Sequence, residues 1–176
     1  MTVTINGSGT IGGVSAGGYG LTDADLPNGS VVQVVYATAQ PSSAFSTSST
    51  SYVDTGVSAT ITPSSSSNKV LVMADLHVYL QSTLTSDWHR ANFDLRRGAT
   101  SIYETSSNGT NGYTYALYST DANDRYMLKT HVPYLDSPAT TSSITYSIYV
   151  NSPNGYTLQL NTTYGNSEMT LMEIKA

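Results

Sequence analysis

Between residues 69 and 81, apolar side chains take every second position. Val70, Val72, Ala74, Leu76, Val78 and Leu80 share one face without interruption, the two-residue period of a buried strand. The period recurs over 52–62, where Val57, Ala59 and Ile61 alternate with Ser58, Thr60 and Thr62. It is weaker over 88–97, which places Ala91, Phe93 and Leu95 inward and predicts a charged, exposed outer face of Arg90, Asn92, Asp94 and Arg96. The compact apolar run 31–39 reads as a buried strand. Shorter strands are predicted at 101–104, 113–118, 125–132, 143–151, 156–160 and 169–174. They are separated by turn-forming clusters such as Ser107-Asn108-Gly109, Asp136-Ser137-Pro138 and Pro153-Asn154-Gly155. No segment carries a helical stripe over three turns. About nine strands so spaced predict an all-β chain, with a two-sheet jelly-roll β-sandwich as its form.

The second face of 69–81 carries Leu71, Met73, Asp75, His77 and Tyr79. A strand apolar on one face and half-apolar on the other suits cover on both sides, as when its back packs on another subunit. These five residues are the candidate subunit interface; cover by the arm or a loop would account for the pattern as well.

Residues 1–30 differ in kind. They hold eight of the 14 glycines (Gly7, Gly9, Gly12, Gly13, Gly17, Gly18, Gly20 and Gly29), with Val3, Ile5, Ile11, Val14, Leu21 and Leu26 as the sizeable aliphatic groups. Glycine loses the most backbone entropy on ordering, so such a segment cannot build its own core and needs outside contacts to hold a shape. The chain therefore divides into an extended N-terminal arm, 1–30, and a sandwich domain, 31–176. The six aliphatic residues are the candidate contacts of the arm.

Composition narrows the partners. Lys and Arg number 7 among 176 residues and the net charge is -5, too few cations to neutralise a phosphate backbone, so nucleic acid is not expected as a partner. There is no cysteine, which removes disulfides, thiolate metal sites and a cysteine nucleophile. The start lacks a basic, then apolar, secretory leader and no run of 18 apolar residues occurs, so neither secretion by that route nor a membrane partner is expected.

Candidate chemistry is thin. Gly7-Ser8-Gly9-Thr10-Ile11-Gly12 matches a dinucleotide-binding pattern and follows a short strand-like stretch, Val3 to Ile5. More glycines follow where that motif needs a helix, so no nucleotide is expected. His77, His89 and His131 lie among many serines and aspartates without a nucleophile motif, and read as hydrogen-bonded strand residues rather than catalytic ones. Asp75 with His77, and the loop Asp121, Asn123 and Asp124, offer metal donors but no recognised ligand spacing. The sequons at Asn6, Asn28, Asn108 and Asn161 matter only in a secreted protein. Catalytic residues, cofactor and metal are thus all predicted to be none. Tyr103, Tyr113, Tyr115, Tyr118 and Tyr126, with Trp88, are either core and rim aromatics of the sandwich or a surface for a carbohydrate or protein contact.

Several stretches resemble small bacteriophage virion proteins of the tail-fibre and capsid-decoration kind. They are Thr2-Val3-Thr4-Ile5-Asn6-Gly7-Ser8-Gly9, Gly29-Ser30-Val31-Val32-Gln33-Val34-Val35, and Tyr52-Val53-Asp54-Thr55-Gly56-Val57-Ser58-Ala59-Thr60-Ile61-Thr62-Pro63. Asn68-Lys69-Val70-Leu71-Val72, Leu135-Asp136-Ser137-Pro138-Ala139-Thr140 and Thr170-Leu171-Met172-Glu173-Ile174 continue the pattern. The resemblance implies a jelly roll similar to the tumour-necrosis-factor and complement-head folds, a homotrimer with a central strand face buried between subunits, and a place on the virion. A tail fibre usually adds a long adaptor and shaft where this chain has a short arm. That favours a capsid cement or decoration protein on the outer capsid surface, its arm gripping the major capsid protein or another virion protein. The alternative is the receptor-binding tip of a tail fibre or spike, with a host surface glycan as partner.

Overall fold

The computed structural model describes residues 4–5, 11–12, 26–39, 45–81, 87–104, 114–119, 125–160 and 165–176. Thirteen strands run through them: β1 (Thr4–Ile5), β2 (Ile11–Gly12), β3 (Val31–Ala39), β4 (Phe45–Thr47), β5 (Val53–Ile61), β6 (Lys69–Gln81), β7 (Asp87–Arg97), β8 (Thr100–Glu104), β9 (Thr114–Ser119), β10 (Arg125–Asp136), β11 (Ile144–Asn151), β12 (Leu158–Leu160) and β13 (Ser167–Ile174). β1 and β2 form an antiparallel pair of their own, Ile5 opposite Ile11.

The other eleven strands fall into eight lanes, because three lanes are each made of two successive strands. β3 and β4 line up against β13 and β12, β12 and β13 both flank β6 on one side, and β8 and β9 both flank β7. Lettered A to H in chain order, the first sheet runs A-H-C-F and the second B-G-D-E. All pairings are antiparallel, and this strand order is that of a jelly roll.

The inward residues of both sheets form one core. Val70 to Leu80 of β6, Ala91, Phe93 and Leu95 of β7, Tyr146, Ile148 and Val150 of β11, and Met169 and Leu171 of β13 are nearly inaccessible. Burial of each large aliphatic side chain contributes roughly 1.5–3 kcal/mol, so the alternation read from the sequence is the chief source of stability. Tyr103 and Tyr134 meet at 5.5 Å between ring centroids where the β8 and β10 edges approach.

Four expectations need correction. The run 31–39 is an edge strand with exposed Val31, Val34 and Tyr36, not a buried one. On β7, Asn92 and Asp94 are 1% exposed although they face outward. Arg96 and Ser101 bond the Asp94 carboxylate, and the Arg96 guanidinium in turn lies 3.9 Å over the Tyr149 ring. β10 continues through Pro133 to Asp136, which its edge position permits because proline there forfeits no ladder bond. β4 lies in a Ser-rich stretch that showed no strand pattern.

Candidate functional site

The register of the first sheet assembles its outer face row by row. Val34, Met172, Leu71 and Leu135 lie side by side across four lanes. The next row is Tyr36, Thr170, Met73 and Pro133, and the third is Thr38, Glu168, Asp75 and His131. His77 then sits opposite Lys129, and Tyr79 between Gln159 and Met127. Four large apolar side chains on this face are more than half exposed: Val34 55%, Tyr36 59%, Met127 54% and Leu135 51%. Leu71, Met73, Asp75, His77 and Tyr79 are half-buried between them. All five candidate interface residues thus lie on one surface, joined by apolar neighbours the sequence did not connect to them.

A charged band crosses this face. His131 Nδ1 lies 3.0 Å from Asp75 Oδ1, Lys129 Nζ donates to Glu168 at 3.2 Å, and the Tyr36 hydroxyl donates to the same carboxylate. The Tyr36 bond first, then that from Lys129, holds Glu168 below the ordinary carboxylate range. His77 is fixed differently: its backbone N–H donates to Ser167 Oγ at 2.9 Å, and its ring lies against Gly165, where any Cβ would collide with it. Among the described residues no hydroxyl is bonded to His131. No group of three or more metal-ligating side chains occurs among the described residues.

Two polar knots close one end of the sandwich. Glu173, fully buried, accepts from Ser64 N at 2.8 Å, Ser64 Oγ at 2.7 Å and Asn68 Nδ2 at 2.7 Å, and from Gln33 Nε2. Burial works against ionisation, but these donors outweigh it and hold the carboxyl below its usual range. Nearby, Arg97 Nη1 donates to both Asp136 oxygens, at 3.1 and 2.9 Å, and the buried Tyr146 hydroxyl donates to Asp136 at 2.7 Å. Burial, then the bond to Asp136, pushes the Tyr146 phenol well above its usual value.

The remaining sequence candidates divide. Of the arm contacts, Leu26 is anchored through its carbonyl, which accepts from Lys175 Nζ at 2.6 Å. Gly29 and Ser30 exchange backbone bonds with Lys175. Ile5 and Ile11 are register partners in the β1–β2 pair, while Val3, Val14 and Leu21 lie outside the described residues. The glycine pattern ends at Gly12 in a strand, not a helix. Tyr103 and Tyr126 pack against the core. Trp88 pairs with Tyr118 in the β7–β9 register; Tyr113 and the Asp121 loop lie outside the described residues.

No protein-family model matches the chain, and no curated protein matches it in sequence. Among solved structures, that of infectious bursal disease virus strain Gx is 15% identical with a TM-score of 0.36. The VP2 subviral particle of the same virus is 14% identical, with a TM-score of 0.35. Each likeness covers 82% of this chain but only 32% and 37% of the viral chains, so the chain spans about a third of their length. These likenesses are distant, and the fold assignment stands on strand order and register.

Proposed function

We propose that this protein is a structural component of a bacteriophage virion, a capsid cement or decoration protein that assembles as a homotrimer through the outer face of its A-H-C-F sheet. The observation carrying the assembly is the apolar row from Val34 to Leu135 and the largely apolar row beside it, Tyr36, Thr170, Met73 and Pro133, with Leu71 and Met73 at their centre. Contiguous apolar surface on a folded sheet is stabilised by covering it. The charged band beside it carries both signs, Asp75 and Glu168 with Lys129, so copies of one surface can satisfy each other. The threefold count and the virion location rest on the sequence resemblance.

In this reading the trimer acts by buried area, with no chemical step. The arm reaches away from Leu26, which is tied to the C-terminal Lys175, and grips the shell. A chain lacking residues 1–25 keeps that tie; it is expected to remain a folded trimer and to lose binding to undecorated capsids in a sedimentation assay. Undiminished capsid binding by the truncated chain defeats the arm's role. The alternative, a receptor-binding tip, draws its support from the cleft described next.

A further inference from the structure

At the end of the sandwich holding the two polar knots, a cleft of ≈ 460 Å³ opens between the β7–β8 turn and the 137–143 loop, lined by Arg97, Gly98, Pro138, Thr140, Ser143, Ile144 and Thr145. Arg97, one of its lining residues, carries a positioned guanidinium. Both bonds that Arg97 gives Asp136 come from Nη1, and the Ser137 carbonyl lies 3.5 Å from the same nitrogen. Among the described residues nothing bonds Nε or Nη2, the side-on edge of the fork. Arg97 is 30% exposed in its side chain. Asp136 is itself fixed by Tyr146, so the fork is held from behind while its free edge keeps two parallel donors, the geometry that matches a carboxylate.

The rim supplies a different chemistry. Thr140 Oγ1 accepts from Ser142 N at 3.0 Å and retains its proton for donation. Ser143 is exposed. Thr145 Oγ1 shares a 2.7 Å bond with Thr60. Pro138 and Ile144 add apolar surface. Between Pro138 and Thr140 the backbone of Ala139 takes φ 53°, a left-handed conformation costly for a residue with a Cβ and found where a loop's shape is fixed by its surroundings.

We propose that this cleft binds a carboxylated sugar, its carboxylate on the Nε–Nη2 edge of Arg97 and its hydroxyls on Thr140 and Ser143. With Arg97 already paired with Asp136, the cleft has too little positive charge for a phosphate dianion, and the net charge of -5 opposes polyanions. Hydroxyl donors and acceptors beside small apolar patches match the mixed surface of a sugar ring. The proposal is independent of the trimer, since the cleft lies at the sandwich end and not on the A-H-C-F face.

The test is amide NMR of the full chain titrated with glucuronate, with glucose, acetate and sulfate as comparisons and an oligosaccharide ending in glucuronate as a further ligand. Saturable shifts at Arg97, Thr140, Ser143 and Thr145 are expected with glucuronate, and none with the comparison solutes at equal concentration. Arg97→Lys keeps the charge and loses the fork, and should weaken binding by about tenfold or more. Because that change also disturbs Asp136, Ser143→Leu serves as a second variant: it fills the cleft from an exposed position and should abolish binding with the melting temperature unchanged. Tighter binding of the oligosaccharide identifies a polymer end as the source, and equal binding a free sugar acid. The proposal is overturned by no saturable shift with glucuronate, by equal binding of acetate or sulfate, or by full binding in both variants.

Discussion

On the outer side of the first sheet, the row Val34, Met172, Leu71 and Leu135 is apolar from edge to edge. On the outer side of the second, the row Ser58, Ser147, Arg96 and Ser101 is polar from edge to edge. Both sheets bury their inner faces in one core, so the contrast is confined to the positions that folding of the single chain leaves outside. The second sheet satisfies its outer polar groups within itself: Thr60 bonds Thr145, Arg96 bonds Asp94, and Arg96 covers Tyr149. The first leaves large apolar groups in water. The polar face of the second sheet is complete in the monomer, whereas the apolar face of the first is stabilised further by a partner.

The largest expected effect breaks this contrast at its centre. Met73→Lys puts a charge into the apolar rows and, under the assembly proposed, costs about 3–5 kcal/mol of association, as an uncompensated buried charge does. Sedimentation should then show monomer, while Ser58→Lys on the other sheet should leave the mass unchanged. A smaller effect separates the sheets in the opposite sense. Asp94→Ala removes the acceptor of Arg96 and Ser101 and should lower unfolding stability by about 1–3 kcal/mol, read by urea denaturation, with the oligomeric mass untouched.

Both outward Glu168 and buried Glu173 titrate below the ordinary carboxylate range when folded. The stability they confer is therefore present above the unfolded value near ~4.3 and is lost as pH falls from there through the folded values. Melting temperature should drop across that acid window, and Glu173→Gln should flatten the drop; parallel curves for the two proteins would reject Glu173 as a source. The smallest effect is at the loop joining the two sheets. Ala139→Gly relieves a left-handed Cβ and should raise stability by up to about 1 kcal/mol, visible as a small rise in thermal midpoint.

The sequence made the core lanes legible because β5, β6 and β7 alternate without a break at their inward positions. β6 was read to its end residues, Lys69–Gln81. β4 was missed because three residues carry too little periodicity, and β10 was cut short at Pro133 by a residue that breaks central strands but not edge ones. The five interface candidates of β6 were visible as a second face, but Val34, Tyr36 and Leu135 joined them only through register between strands distant in sequence. The polar knots carry a signal of their own in the sequence. Arg97, Asp136 and Glu173 each occupy an inward position at the tail of an alternating strand, after Leu95, Tyr134 and Leu171 respectively. A charge at an inward position needs partners, and here those partners close one end of the sandwich.

The central claim, that the A-H-C-F outer face is covered by other copies of this chain, is met most directly by sedimentation equilibrium of the full-length protein at micromolar concentration. The account predicts a single species of three times the 18.7 kDa chain mass, reduced to one chain mass by Met73→Lys. A monomer at 18.7 kDa, or an oligomer that Met73→Lys leaves intact, contradicts it.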